Sequence, residues 1–246
     1  WRYTGSCGRV VLSVLDPKNH LSEVSDAYAS IFAANKVLLA DLPCGSGAAS
    51  ISIITTLIEL RKHNVLPRLP LTIKIIAAEI SPSALVYYVD QMEKIKVMAI
   101  GQAIEIEYET VHWDALDMIG TADLINKLTL LNQDCNSRLL LLTNFSGFLD
   151  KEKQWEKAKP QFEQIFIHSR DKSSTAIWIE PGSKNIGGFF HIVTGWFNNF
   201  LNSLKKSIPN IDSLYGKSAS KCKHPLKDHH FKLSLTIKRF QLPAKS

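Results

Sequence analysis

Short apolar runs alternate with helical segments along most of the chain, and this alternation constrains the fold more than any other feature. The runs are rich in aliphatic and β-branched residues and span residues 37–40, 71–78, 104–109, 138–143, 175–179 and 231–240. Helices are predicted at residues 21–34, 48–61, 83–96, 121–131, 152–169 and 189–204, with Pro160 starting, kinking or splitting its helix. Strands separated by helices predict an α/β fold, with a mostly parallel sheet covered by helices on both faces.

The chain reads as one domain. Its 246 residues, 45% hydrophobic and 21% charged, are typical of a globular protein. We predict a single domain over 1–246, with a helical lead-in over 1–34 and the sheet core over 35–246. No apolar run reaches the roughly 18 residues that cross a bilayer, so no membrane association is expected. The cysteines, Cys7, Cys44, Cys135 and Cys222, form no CxxC pair, which fits a reducing compartment and predicts a cytoplasmic location.

Basic residues are concentrated at the C-terminal end. Residues 201–246 hold ten Lys/Arg and two Asp/Glu, a net +8, whereas the first 200 residues hold nineteen and twenty-one, a net −2. Such a segment is either a solvated, solubilising face or a patch for phosphate-bearing partners. The residues concerned include Lys205, Lys206, Lys217, Lys221, Lys223, Lys227, Lys238 and Arg239.

A glycine-bearing turn follows the first apolar run. The run ends in Asp41, and Leu-Pro-Cys-Gly-Ser-Gly leads from there into a helix. Gly45 and Gly47 permit a tight turn and close approach of a ligand, and the helix behind them offers free N–H groups. The segment resembles the first motif of class I S-adenosylmethionine-dependent methyltransferases, an acidic residue before a Gly-x-Gly pair. In that family the loop cradles the amino-acid part of the cofactor, which implies cofactor-binding roles for Asp41, Pro43, Cys44, Gly45 and Gly47. Pro43 departs from the commonest pattern, which has glycine there.

Two further segments carry the same resemblance. Glu79 ends the second apolar run before Ile80, and Ser81 and Pro82 then open a helix as its cap and first residue. This resembles the family's second motif, which implies that the Glu79 carboxylate accepts both ribose hydroxyls, beside Ile80. By the same resemblance, Asp114 accepts from the adenine amino group and Ala115 offers its backbone N–H to the ring. Asp114 also suits a helix N-cap, and His112 and Trp113 are more typical of core or rim positions than of catalysis.

A nicotinamide site is the rival interpretation of the glycine turn. Its G-x-G-x-x-G pattern fails here, because Ser50 stands at the third glycine. Glu79 also follows Gly47 by 32 residues, beyond the roughly 20 expected of the ribose-binding acid. The sequence therefore favours S-adenosylmethionine as the cofactor. The family resemblance implies a seven-stranded sheet with the last strand, near 231–240, antiparallel.

The acceptor side of the site is predicted after the fourth run. The resemblance places the acceptor at Asn144 to Phe148, with Asn144 as the catalytic candidate and also as a cofactor-binding residue. Family members that methylate amino groups of bases often carry Asn-Pro-Pro-aromatic at this point, and both prolines are missing here, so that reaction is not supported. Asn144 also suits a turn residue. Glu180 either lines the acceptor site or starts a turn, and the turn is favoured. Methyl transfer needs orientation and a dry pocket more than an acid or base.

Two other clusters of residues have both a functional and a structural interpretation. Cys222, His224, His229 and His230 lie close together, but their spacing matches no usual zinc pattern, so no metal is predicted. The aromatic residues of the segment 189–204 indicate core packing or, alternatively, a surface for an acceptor or partner; they are Phe189, Phe190, Trp196, Phe197 and Phe200.

The expected function is methyl transfer from S-adenosylmethionine. The basic 201–246 segment favours a nucleic-acid acceptor, RNA first, although it contains no recognisable nucleic-acid module. A small-molecule or protein acceptor remains open. So does a non-catalytic methyltransferase-like subunit with a protein partner, given Pro43 and the altered fourth loop.

Overall fold

A computed structural model describes residues 2–171, 173–182, 192–196, 198–200, 202, 213–224 and 226–242. Within these residues seven strands form one sheet, in the order β3-β2-β1-β4-β5-β7-β6. The strands are β1 (Lys36–Asp41), β2 (Leu71–Glu79), β3 (Ile104–His112), β4 (Ser137–Thr143), β5 (Ser174–Pro181), β6 (Ser213–Lys223) and β7 (His230–Gln241). Strands β1 to β5 are parallel, and β7 runs antiparallel to both β5 and β6. The predicted mostly parallel seven-stranded sheet, with its antiparallel strand near 231–240, is confirmed.

Helices cover both faces of the sheet, as predicted. They are α1 (Arg2–Leu15), α2 (Ser22–Phe32), α3 (Ala48–Lys62), α4 (Pro82–Ile100), α5 (Met118–Leu131), α6 (Ser146–Lys151) and α7 (Trp155–His168). One hydrophobic core joins the sheet to α1, α2, α3 and α4, and the other joins it to α5, α7 and the side chains of Val193, Trp196 and Phe200. No helix among the described residues is long and apolar enough to cross a membrane.

The structure differs from the sequence prediction at three places. β6 was not predicted, because it is a polar edge strand whose residues are mostly exposed or half-buried. The helix predicted at 152–169 begins at Trp155 and keeps Pro160 inside it, in the second turn, where only one first-turn hydrogen bond is lost. The short helix α6 precedes it. Of the helix predicted at 189–204, residues 192–196, 198–200 and 202 are helical, and the rest lie outside the described residues.

The parallel strands bring their carboxyl ends to one edge. Glu79 at the end of β2 pairs with His112 at the end of β3, and Thr143 at the end of β4 pairs with Ile179 in β5. In open α/β sheets ligands bind beyond this edge. The predicted site residues follow these strand ends and therefore lie together.

Candidate functional site

The loop after β1 takes a conformation that needs its glycines. Gly45 and Gly47 have φ of +54° and +90°, in the left-handed region that glycine favours. A Cβ on Gly47 would lie 2.7 Å from Ile51 Cδ1 and 2.9 Å from Tyr88 Cδ2, so the loop packs directly on α3 and α4. A Cβ on Gly45 would meet no atom within 4 Å, because Gly45 faces a cavity. Gly47 therefore permits close packing, and Gly45 leaves space open in the cavity.

Asp41 is wholly buried behind this loop. Its Oδ2 accepts a hydrogen bond from the Ser50 backbone N–H at 3.1 Å, which ties the end of β1 to the first turn of α3. Its Oδ1 has no partner among the described residues. Burial away from water raises the pKa of Asp41 to about 7. Asp41 therefore supports the loop and does not line the cavity.

Glu79 joins the ends of β1 and β2. Its Oε2 accepts from the Gly45 N–H and its Oε1 from the Ser81 N–H, both at 3.0 Å. Ser81 in turn caps α4 as predicted, its Oγ accepting from the Ala84 N–H. A carboxylate offers about four acceptor positions, so Glu79 keeps capacity for further donors.

The loop after β3 supplies the third side of the site. The Asp114 Oδ1 accepts from the Leu116 N–H at 2.9 Å in a turn. The N-cap of α5 is Asp117, so the alternative of Asp114 as the helix N-cap is wrong, because α5 begins at Met118. Trp113 is buried in the core, its Nε1–H donating to Thr121 Oγ1, and His112 is exposed.

A cavity of about 580 Å³ opens between these loops. It brings together eight of the predicted site residues, Pro43, Cys44, Gly45, Glu79, Ile80, Asp114, Ala115 and Asn144. The other two, Asp41 and Gly47, do not line the cavity. Ile80 and Phe148 are about half exposed at its mouth, at 51% each. The other residues that line it from the loops and strand ends are Ser46, Ala48, Trp113, Leu116, Thr143, Phe145 and Phe148.

Helix α1 covers part of this cavity, and sequence reasoning missed it. Tyr3 and Ser6 line the cavity from this helix. Burial raises the pKa of Tyr3 to about 12. Gly8 lets α1 lie close to β7, since a Cβ there would be 2.9 Å from Leu233 Cδ2. No local sequence pattern shows that a helix so far from the motifs covers them.

The loop after β4 is held from two sides. Asn144 has φ of +56°, as suits a turn residue, and its side-chain Oδ1 accepts from Arg9 Nε at 3.1 Å and Arg9 Nη2 at 2.6 Å.

Glu180 is wholly buried and holds the same loop from the other side. Its Oε1 accepts from the N–H groups of Phe145 and Ser146 at 3.0 and 2.9 Å. Trp178 Nε1–H donates to the same oxygen at 2.7 Å. The favoured interpretation of Glu180 as a turn residue is wrong, because it lies within β5 and fixes the neighbouring loop.

The basic segment is divided by the structure. Lys217, Lys221 and Lys223 are exposed on one face of β6, whereas Lys238 and Arg239 are buried. Each of these two buried side chains has a partner within the fold. Lys238 Nζ donates to Asn198 Oδ1 at 3.2 Å, and Arg239 lies 3.4 Å from the Glu23 carboxylate. The interpretation of Lys238 and Arg239 as part of an open basic patch is therefore wrong, because both side chains point into the packed faces of the sheet. Lys205 and Lys206 lie outside the described residues.

The two other clusters also have places in the fold. Cys222, His224, His229 and His230 surround the β6–β7 turn, and the described residues contain no group of three or more His, Cys, Asp or Glu that could hold a metal. Trp196 and Phe200 are buried against Phe166, so these two aromatic residues belong to the core. Phe189, Phe190 and Phe197 lie outside the described residues.

Comparison with known proteins shows likeness at the level of fold. No protein-family model matches the chain, and no curated protein matches it. A precorrin-6Y C5,15-methyltransferase from Geobacter metallireducens is 13% identical with a TM-score of 0.44, over 91% of this chain and 90% of that one. A protein from Pyrococcus horikoshii assigned as an RNA methyltransferase is 13% identical with a TM-score of 0.38, over 89% and 81%. A precorrin-8W decarboxylase from Methanobacterium thermoautotrophicum is 10% identical with a TM-score of 0.38, over 92% of each chain.

Likeness of this degree says nothing of the reaction, since one fold carries many functions. The strand order within the chain itself is the firmer observation. Seven strands in the order β3-β2-β1-β4-β5-β7-β6, with β7 antiparallel, give this chain a class I methyltransferase-like fold.

Proposed function

We propose that this chain binds S-adenosylmethionine and transfers its methyl group to an acceptor. The observation that carries the proposal is the meeting of Gly45, Glu79 and Asp114, from the loops after three neighbouring strands, around one cavity. Each of these residues belongs to a different sequence motif. Their convergence depends on the fold and not on any single motif.

The chemistry of the lining residues fits this cofactor. A cavity of about 580 Å³ lies within the usual range for cofactor sites, roughly 300–1,000 Å³. Gly45 leaves open the space that a Cβ would fill. Glu79 has acceptor capacity left for ribose hydroxyls. Asp114 Oδ2 and the Ala115 N–H make no hydrogen bond to the described residues, so an acceptor and a donor remain for the edge of an adenine ring.

The residues of this chain would act by orientation and exclusion of water. When bound, S-adenosylmethionine supplies an electrophilic methyl group on a sulfonium centre. The Gly45 turn, Glu79 and Asp114 would hold the amino-acid part, the ribose and the adenine of the cofactor, while Phe145 and Trp113 would provide an apolar wall. Helix α1 covers the cavity through Tyr3 and Ser6. Methyl transfer depends on orientation and the exclusion of water more than on an acid or base, and these residues would contribute to both.

RNA is the acceptor we propose, because of the β6–β7 hairpin. Pro181, the last residue of β5, pairs with Leu235, so β7 extends past the end of β5 by residues 230–234, roughly 17 Å at the rise of a strand. The cavity opens at this carboxyl edge of the sheet. Lys221 and Lys232 lie directly opposite one another in the extension, and like charges so placed are destabilising. A phosphate backbone would relieve that repulsion.

Acidic residues do little to neutralise the hairpin. Lys217, Lys223 and Lys227 are also exposed there, and Asp228 is the one acidic residue in the sequence from 213 to 242. Asp228 is itself 97% exposed at its side chain and lies 3.2 Å from Lys223. Exposed pairs of this kind contribute little. The hairpin therefore keeps a positive surface at the same edge of the sheet as the cavity.

The test is transfer of isotopically labelled methyl from S-adenosylmethionine to separate pools of total RNA, protein and small metabolites. Labelled RNA, lost with Glu79→Gln, is the expected result. Label in protein or metabolites alone would overturn RNA as the acceptor and keep methyl transfer. Cofactor binding without label in any pool would contradict methyl transfer by this chain alone and favour the non-catalytic subunit of a larger assembly.

A further inference from the structure

Arg9 fixes which way the side-chain amide of Asn144 is oriented. Arg9 Nε and Nη2 both point at one atom of its amide, at 3.1 and 2.6 Å. Arginine only donates hydrogen bonds, so that atom must be the oxygen Oδ1. The remaining amide group, Nδ2, is then a donor, and its orientation is set by Arg9 from a distance of 135 residues along the chain.

Two side-chain donors lack partners in the described part of the chain where α1 meets the loop after β4: one on Asn144, which lines the cavity, and one on Arg9, which does not itself line it. Neither Asn144 Nδ2 nor Arg9 Nη1 donates to any of the described residues. Asn144 lines the cavity, and so does Ser6, whose Oγ lies 3.4 Å from Arg9 Nη2. An unpaired amide donor beside a half-buried guanidinium that itself keeps an unpaired N–H favours a ligand that accepts hydrogen bonds.

The charge of Arg9 is not met by a bonded carboxylate. Among the described residues no Asp or Glu lies within ion-pair distance of Arg9, although Arg9 is half-buried and its burial lowers its pKa. Glu180 attracts Arg9 electrostatically but directs Oε1 to Phe145, Ser146 and Trp178. A guanidinium partly removed from water, with no hydrogen-bonded anion, binds an anion more strongly than an exposed one does.

We propose that Arg9 and Asn144 form a subsite for an anionic oxygen group, phosphate or carboxylate, carried by the methyl acceptor. This proposal rests on the proposed function in that it assigns the acceptor side of the same cavity. Asn144 donates to this group, so it does not accept from a target amino group. Arg9 is a positioning residue for Asn144 and the source of the positive charge.

The test is a nuclear magnetic resonance titration of the ¹⁵N-labelled chain, followed at the Asn144 side-chain NH₂ and the Arg9 Nε–H. The probes are inorganic phosphate, acetate and methylammonium chloride at one ionic strength. We expect phosphate or acetate to shift both signals to saturation, and methylammonium to leave them in place. Phosphate alone would indicate a phosphate ester as the natural group, and both anions would indicate either source. Anions that move neither signal, or only signals of the β6–β7 hairpin, would overturn the proposal.

Asn144→Asp is the informative variant. It keeps an oxygen acceptor for Arg9, so the loop is retained, but it replaces the donor Nδ2 by an anionic oxygen. Anion affinity read at Arg9 Nε–H should fall at least tenfold, and affinity equal to the wild type would contradict the proposal. Arg9→Met, read at the Asn144 NH₂, is the second variant and should also lose the anion shift.

Failure here is separable from failure of the proposed function. S-adenosylhomocysteine, titrated into the same sample, should shift the backbone amides of Gly45 and Ala115. If the anions shift their signals but S-adenosylhomocysteine does not shift the Gly45 and Ala115 amides, the anion subsite is supported and the cofactor site is contradicted. If S-adenosylhomocysteine shifts those amides but the anions shift neither side-chain signal, the cofactor site is supported and the anion subsite is contradicted.

Discussion

The carboxylate of Glu79, at the end of β2, accepts a hydrogen bond at 3.0 Å from the backbone N–H of Gly45 in the loop after β1. The two residues lie 34 positions apart in sequence and belong to different motifs. Their contact fixes the distance between the glycine turn and the acidic end of the next strand. Those two features are the ones expected to hold adjacent parts of one ligand, its amino-acid part and its ribose.

Gly47→Ala should destabilise the fold. The substitution places a Cβ 2.7 Å from Ile51 Cδ1 and 2.9 Å from Tyr88 Cδ2, at a φ of +90° that alanine rarely adopts. Tyr88 is wholly buried and cannot move away cheaply. A loss of roughly 1–3 kcal/mol in the free energy of unfolding is expected. Urea denaturation measures it, and unchanged stability would show that the loop does not pack as described.

Gly45→Ala should act on ligand binding more than on stability. Its Cβ meets no atom within 4 Å, and its φ of +54° lies in the left-handed region at a cost of about 1 kcal/mol for alanine. The added methyl group would occupy the cavity. Calorimetric affinity for S-adenosylhomocysteine should fall at least tenfold. Gly101→Ala, outside the cavity at the end of α4, serves as the matched control and should leave affinity unchanged.

Asp41 should make stability depend on pH. Burial raises the pKa of its carboxyl from 3.8 to about 7, so between these values the folded chain holds a proton that the unfolded chain releases. The contribution of Asp41 to stability therefore falls as pH rises from about 4 to about 7, by up to a few kcal/mol. Asp41→Asn does not titrate and should lose this decline.

The measurement is the free energy of unfolding in urea at pH 5, 6, 7 and 8. The difference between wild type and Asp41→Asn should shift steadily in favour of the variant up to about pH 7. Asp26→Asn, at an exposed carboxylate, controls for the loss of one negative charge. Parallel curves for wild type and Asp41→Asn would show that Asp41 is ionised throughout.

The β6–β7 hairpin should govern the affinity for RNA and its salt dependence. Reversing Lys221 and Lys223 together to Glu removes two exposed positive charges from β6 and should weaken RNA binding. The slope of log affinity against log salt should also become shallower. Lys62→Glu with Lys94→Glu, on α3 and α4, changes the net charge equally and should have little effect. Equal losses in both double variants would point to net charge and not to the hairpin.

Local patterns predicted the sheet and the loops at its carboxyl edge. Periodicity and turn chemistry suffice to place the strand that ends in Asp41, the Gly45 turn and the Ser81 cap. Each of these features is determined by a few neighbouring residues. Eight predicted residues line the same cavity because parallel strands end at one edge. The resemblance to methyltransferase motifs then supplied the roles.

Contacts between distant segments were not predictable in this way. Arg9 meets Asn144 across 135 residues, and nothing in the helix around Arg9 marks it as the cover of a cavity. Arg239 was counted as a surface charge, but its partner Glu23 lies 216 residues away on α2. β6 escaped notice because an exposed edge strand lacks the apolar pattern on which strand prediction depends.

The central claim is that the cavity binds S-adenosylmethionine through Glu79, and calorimetric titration with its demethylated product tests it most directly. Wild-type chain should bind S-adenosylhomocysteine, and Glu79→Gln should bind it at least tenfold more weakly, since hydrogen bonds to charged groups contribute roughly 1.5–3 kcal/mol. Glu105→Gln, exposed on β3 of the same sheet, should bind like the wild type. No binding by the folded wild type, or equal binding by Glu79→Gln, would contradict the account.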